Sequence, residues 1–156
     1  MTTATIDSVE MVRRLVGFDT TSRGSNLALI EFVRSYLDGL GIASEMVFDE
    51  TGNKANLYAK LGPPGIGGIM LSGHTDVVPV DGQDWHSNPF TVLAKDERLF
   101  GRGTADMKSF IAVVLALLPS LAERPLRIPL HLAFSYDEEV GCRGARRDTA
   151  VLLSGR

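Results

Sequence analysis

The chain has 156 residues, 44% of them hydrophobic and 22% charged, with a formal net charge of -3. That composition reads as one soluble globular domain able to bury about two-thirds of its unfolded surface, and its mildly acidic balance gives no reason to expect a nucleic-acid partner. The longest apolar run, Phe110 to Leu118, is too short to span a bilayer, Met1 to Asp7 has neither the basic nor the apolar part of a secretory signal, and a lone Cys142 cannot form an intramolecular disulfide, so a cytoplasmic protein without a membrane partner is expected.

Helices and strands alternate along the chain. Ser8 to Val16 reads as a first helix, with Val9, Val12 and Val16 at helical spacing and Asp7 as its N-cap. Asn26 to Leu40 reads as a second, with an apolar stripe at Leu27, Ile30, Val33, Leu37 and Leu40 ended by Gly41. Ala43 to Phe48 and Ala55 to Leu61 are short, β-favouring runs either side of a turn-rich Asp49 to Asn53. After a loop of prolines and glycines, Ile69 to Gly73 is a short buried strand that delivers His74 at its carboxyl end. Phe90 to Leu93 and Arg98 to Phe100 suggest a hairpin. Met107 to Glu123 is the strongest helix, stopped by Pro125. Leu130 to Tyr136 is a buried strand that delivers Asp137, Glu138 and Glu139, and Cys142 to Leu153 reads as a final helix. The order predicts an α/β fold whose strand-end loops collect the chemistry.

Three motifs sit at those ends. His74 and Asp76 are two apart, so in extended backbone their side chains share a face and the acid can lie beside the imidazole or beside whatever it binds. Read alone, the pair is more simply a strand-end histidine with a turn aspartate. Arg102 to Lys108 joins the hairpin to the strong helix. It lacks the third glycine of a dinucleotide loop and the Gly-Lys-Ser/Thr of a P-loop, and Asp106 there is either a helix N-cap or a carboxylate able to bridge two cations. Asp137, Glu138 and Glu139 repel one another unless a cation, a proton or solvent relieves them, and the apolar residues on both sides argue against full exposure. One imidazole with several carboxylates favours zinc, with cobalt or manganese as alternatives, over calcium. No Gly-x-Ser-x-Gly elbow is present, and acids beside Cys142 should blunt its thiol. Arg102 is expected to pair with Asp106 or Asp137, and Trp85 and Phe90 to pack in the core.

The segments Ser72 to Trp85, Gly101 to Lys108 and Ala133 to Cys142 together resemble the acetylornithine deacetylases. These belong to a wider family of two-metal amidohydrolases and exopeptidases that includes succinyl-diaminopimelate desuccinylase and the aminoacylases. The resemblance implies a three-layer sandwich-like catalytic domain, with a mixed, largely parallel sheet flanked by helices. It also implies two divalent cations, zinc foremost: His74 as a ligand of one, Glu139 of the other, and Asp106 bridging both through a cis Asp106–Met107 peptide. Glu138 becomes the general base and acid, and Asp76 the residue that orients His74. The implied reaction is hydrolysis of an N-acyl amide, deacetylation of N2-acetyl-L-ornithine in arginine biosynthesis, by a homodimer. Family members continue into a further acidic ligand, a lid domain that forms the dimer contact, and a late histidine ligand. Residues 1–156 are thus expected to be the amino-terminal part of the catalytic domain, truncated before the lid, binding metal weakly and turning over little alone. His86 and His131 are poor substitutes for the further ligands. A desuccinylase, an aminoacylase, or a non-catalytic remnant that serves as an interaction or metal-binding module are the other readings.

Overall fold

The computed structural model describes residues 6–64 and 67–145. In chain order its elements are α1 (Ser8–Val16), α2 (Leu27–Gly39), β1 (Ser44–Phe48), β2 (Ala55–Leu61), β3 (Ile69–His74), β4 (Leu93–Lys95), β5 (Arg98–Phe100), α3 (Lys108–Ala122) and β6 (Leu130–Ser135). Asp7 caps α1 as the sequence predicts, its carboxylate accepting the Glu10 N–H at 2.9 Å. The buried face of α1 is Met11, Val12, Leu15 and Val16, whereas Val9 is exposed. Asn26 precedes α2 without capping it. Its side-chain amide bonds the Ala55 backbone and the Thr75 hydroxyl instead, tying the helix to β2 and to the strand end after His74.

β1, β2, β6 and β3 lie in that order in one sheet, and β4 pairs with β5 in a separate hairpin. The sheet is mixed, as expected, but not largely parallel among the described residues: β1–β2 and β2–β6 are antiparallel, and only β3–β6 is parallel. The cause is local. Asp49 accepts the Asn53 and Lys54 N–H groups at 2.9 and 3.0 Å, which closes a tight turn and forces β2 back along β1. β3 and β6 are parallel because α3 makes the crossover between them, and α3 runs straight through Pro119. Three differences in the extent of elements also emerge. The hairpin's first strand begins at Leu93, with Phe90 in the turn before it. Residues 143–144 form a turn, so the helix predicted from Cys142 is first seen at Ala145. The rest of the predicted carboxyl-terminal helix lies outside the described residues.

α1, α2 and α3 share one core with the inward side chains of the sheet, Leu57, Ala59, Leu132 and Phe134. Tyr36 of α2 donates its hydroxyl to the Leu115 carbonyl of α3 at 3.2 Å. Each fully buried leucine in this core contributes about 1.5–3 kcal/mol. The parallel pairing sets the carboxyl ends of β3 and β6 side by side, with His74 opposite Ser135, so the first and third motifs emerge together. The second arrives from the loop before α3. There Gly103, at φ +85°, is required: a Cβ would stand 3.0 Å from Val77 Cγ1 and 3.1 Å from Lys108 Cδ.

Candidate metal centre

His74 is buried at the end of β3. Its Nδ1 lies 2.9 Å from the backbone carbonyl of Asp76, which can only accept, so Nδ1 carries a proton and Nε2 is the atom left for a cation. Nε2 faces Asp106 Oδ1 at 3.0 Å and Glu138 Oε2 at 3.8 Å. One donor atom each from His74, Asp106 and Glu139 lies within 4.8 Å of the others. Imidazole nitrogen and carboxylate oxygen are the donor types that zinc takes at about 2.0–2.2 Å. The N/O donor set and its convergence therefore fit a divalent cation. The Asp106–Met107 peptide is cis.

Asp76 is placed differently from a simple partner of the imidazole. Its carboxylate is 3.5 Å from Nδ1, beyond a good hydrogen bond. It accepts instead from the Ser22 hydroxyl at 2.7 Å and from the Glu138 and Glu139 N–H groups at 3.0 and 3.2 Å. One carboxylate thus joins the β3 end to the turn after β6, while the backbone carbonyl of the same residue fixes the histidine tautomer. Sequence reasoning missed Ser22 because its partner lies 54 positions away and no local pattern marks it. It also missed Lys54, which bonds Asp137, and Asn56, which receives the Tyr136 N–H and donates to the Gly144 carbonyl.

The other candidates sit apart. His131 bonds the Tyr58 hydroxyl through Nδ1 at 2.6 Å, and His86 lines a separate cavity of about 300 Å³ with Trp85, Leu93 and Phe100. Arg102 pairs with neither Asp106 nor Asp137. It donates to Gln83 Oε1 at 2.5 Å and lies 5.3 Å over the Trp85 ring, because its loop faces the segment after Val80. Trp85 is half-buried beneath that guanidinium and is not a core residue.

Residues 70–154 match the family model of peptidase family M20/M25/M40. The chain belongs to this family. It is 39% identical over 145 residues to the acetylornithine deacetylase of Proteus mirabilis strain HI4320, covering 88% of this chain and 37% of that protein. It is 43% identical over 123 residues to the acetylornithine deacetylase of Edwardsiella ictaluri strain 93-146, covering 78% and 32%. This M20 chain therefore spans about a third of the length of these curated relatives. Its fold, a mixed sheet flanked by helices, matches that of human carnosine dipeptidase 1, with a TM-score of 0.77, 21% identity, and 95% of this chain and 36% of that one covered. The M20 metallo-carboxypeptidase Sso-CP2 of Sulfolobus solfataricus matches it with a TM-score of 0.76 at 17% identity, over 97% of this chain and 36% of that one.

Two buried bases give the metal-free M20 chain an unusual pH dependence. Burial lowers the His74 pKa, but hydrogen bonds to Asp76 and Asp106 outweigh it and raise the value from 6.5 to about 9. Lys108, fully buried at the start of α3 with Nζ donating to the Phe18 carbonyl at 2.6 Å, is lowered by burial from 10.5 to about 8, an effect only partly offset by Asp19 and Asp76. Between pH 6.5 and 8 the folded chain holds more protons than the unfolded one at His74. Stability is therefore expected to fall with rising pH, on the order of 2 kcal/mol. Between about 8 and 9 the two effects cancel. Above 9 the unfolded chain holds the extra proton, on lysine, and stability recovers. Denaturant unfolding in a chelator from pH 6.5 to 10 checks this, and Lys108→Met should remove the recovery. A steady rise across the range would contradict it.

Proposed function

We propose that residues 1–156 are the amino-terminal part of the catalytic domain of a zinc-dependent hydrolase that cleaves N2-acetyl-L-ornithine to L-ornithine and acetate in arginine biosynthesis. The observation that carries this reading is the convergence of the His74, Asp106 and Glu139 donors beside the Glu138 carboxylate. In it, His74 and Glu139 would each hold one of two cations and Asp106 would serve both, with cobalt or manganese as chemically acceptable occupants. Zinc held there supplies Lewis acidity toward water and the amide carbonyl.

Glu138 is the acid–base group. Its side chain is 45% exposed, so it can meet solvent and substrate, while its own N–H is anchored on Asp76. It takes a proton from the attacking water and returns it to the departing amine. Asp76 holds the turn and, through its carbonyl, the tautomer of His74. In this reading the remaining ligands, the lid and a dimer contact belong to the rest of the full-length protein. No helix of the described residues is long and apolar enough to cross a membrane, and a cytoplasmic enzyme acting on a small N-acyl amino acid fits the reading.

The test is hydrolysis by the product of the complete reading frame that carries these residues, with zinc supplied. N2-acetyl-L-ornithine is expected to give the highest kcat/KM among acetylornithine, N-succinyl-diaminopimelate and simple acetyl amino acids. Preference for either of the others replaces the substrate, and hydrolysis of none sinks the reaction.

A further inference from the structure

Three adjacent acids leave the end of β6, yet only Glu138 and Glu139 face the metal centre. Asp137 turns away from them at φ +57°, a backbone region that side chains other than glycine seldom adopt. It meets Lys54. The lysine Nζ bonds the Asp137 carboxylate and also donates to the Ser22 carbonyl at 2.5 Å, in a pair whose side chains are 16% and 10% exposed. The backbone of Lys54 is itself fixed, its N–H and C=O both bonded to Asp49 at 3.0 and 2.9 Å.

These contacts close a ring. Lys54 holds Ser22 by its carbonyl, and the Ser22 hydroxyl holds Asp76. Asp76 accepts the N–H groups of Glu138 and Glu139, and the chain returns through Asp137 to Lys54. Two residues further on, inside β2, Asn56 accepts the Tyr136 N–H at 3.1 Å. The start of β2 thus grips the acidic turn on its amino-terminal side. Asp76 grips it on the other.

We propose that Lys54 is a positioning residue of the metal centre: by neutralising and turning Asp137, it leaves Glu138 and Glu139 as the two acids that face His74 and Asp106. This rests on the metal-hydrolase reading above. A buried carboxylate that loses its cation is strongly disfavoured, so without Lys54 the turn must rearrange to let Asp137 reach water. Both glutamates would move with it.

The experiment compares the 156-residue chain with its Lys54→Met, Lys54→Arg and Lys54→Gln variants, using zinc competition against a chelator and amide hydrogen exchange without metal. Lys54→Met is expected to weaken zinc binding about 10–100-fold, the usual effect of losing a group that orients ligands. It should also remove protection at the Glu138 and Glu139 amides while the β2 and β6 core amides stay protected. Lys54→Arg, which keeps the charge, should restore most of the affinity. A lysine that only stabilises the fold would lower the melting temperature and leave zinc affinity and those two amides unchanged, which overturns the proposal. If Lys54→Met does not fold, Lys54→Gln, which also removes the charge, carries the same expectation, and unchanged affinity and protection in that variant are equally fatal. If the unsubstituted chain takes up no zinc, the zinc comparison is made on the product of the complete reading frame, whose own failure to bind zinc sinks the metal reading, and the exchange of the two amides still decides whether Lys54 holds the turn.

Discussion

Asp76→Ala is expected to weaken zinc uptake by the chain about 100-fold and to destabilise the metal-free fold by roughly 3–5 kcal/mol. Both effects follow from one buried carboxylate. Its removal leaves the Ser22 hydroxyl and the Glu138 and Glu139 N–H groups without their acceptor at a buried position. Each such orphan costs about 1–3 kcal/mol, and the three do not add fully because the turn can relax. That relaxation is what harms the metal centre, since Glu139 is a donor and Glu138 its neighbour. Acid titration gives an independent check. Burial works against the Asp76 charge, but the neighbouring His74 imidazole and hydrogen bonds from Ser22, Glu138 and Glu139 outweigh it and hold the carboxyl below its ordinary 3.8. Its stabilising contribution is therefore complete above pH 3.8 and is lost as pH falls through the lowered value, a loss that should be missing from Asp76→Ala. Denaturant midpoints and chelator competition at neutral pH measure the two main effects. A large loss of stability with unchanged zinc affinity would make Asp76 a structural residue only.

What could be read from the sequence, and what could not, divides by range. His74, Asp106 and the Asp137–Glu139 triplet were legible because each ends a short apolar strand or opens a strong helix, and strand ends converge in an α/β sheet. The convergence itself depends on β3 and β6 being parallel neighbours, which the helix between them enforces. The largely parallel sheet that the resemblance implies is not what the described strands form, and the turn-rich Asp49 to Asn53 already points to the antiparallel β1–β2 pair that its two backbone acceptances close. Ser22, Lys54 and Asn56 were invisible for a different reason. Each acts through a partner 54 to 83 positions away, and a serine or lysine near a turn carries no local signature of such a role. Arg102 shows the reverse error: charge alone suggested an acidic partner, whereas loop geometry delivered it to an aromatic face and an amide oxygen.

Glu138→Gln separates chemistry from cation binding in a way the other variants do not. Glutamine keeps the size of the side chain and the backbone N–H that Asp76 anchors, but it cannot accept and return a proton. Hydrolysis by the product of the complete reading frame should therefore fall roughly a hundred to ten-thousandfold, with zinc uptake unchanged. Glu139→Gln should do the opposite first, weakening zinc uptake, because Glu139 and not Glu138 belongs to the converging donor set. The surroundings of the two acids already differ. Burial raises the Glu139 pKa, with Asp106, Glu138 and Asp76 adding to it against the pull of His74, as expected of a carboxylate crowded where a cation would sit. Glu138 stands at the rim, 3.8 Å from the imidazole and open to solvent. If Glu138→Gln releases zinc while Glu139→Gln retains it, the two roles are exchanged; if both variants bind zinc and both turn over normally, the acid–base assignment fails altogether.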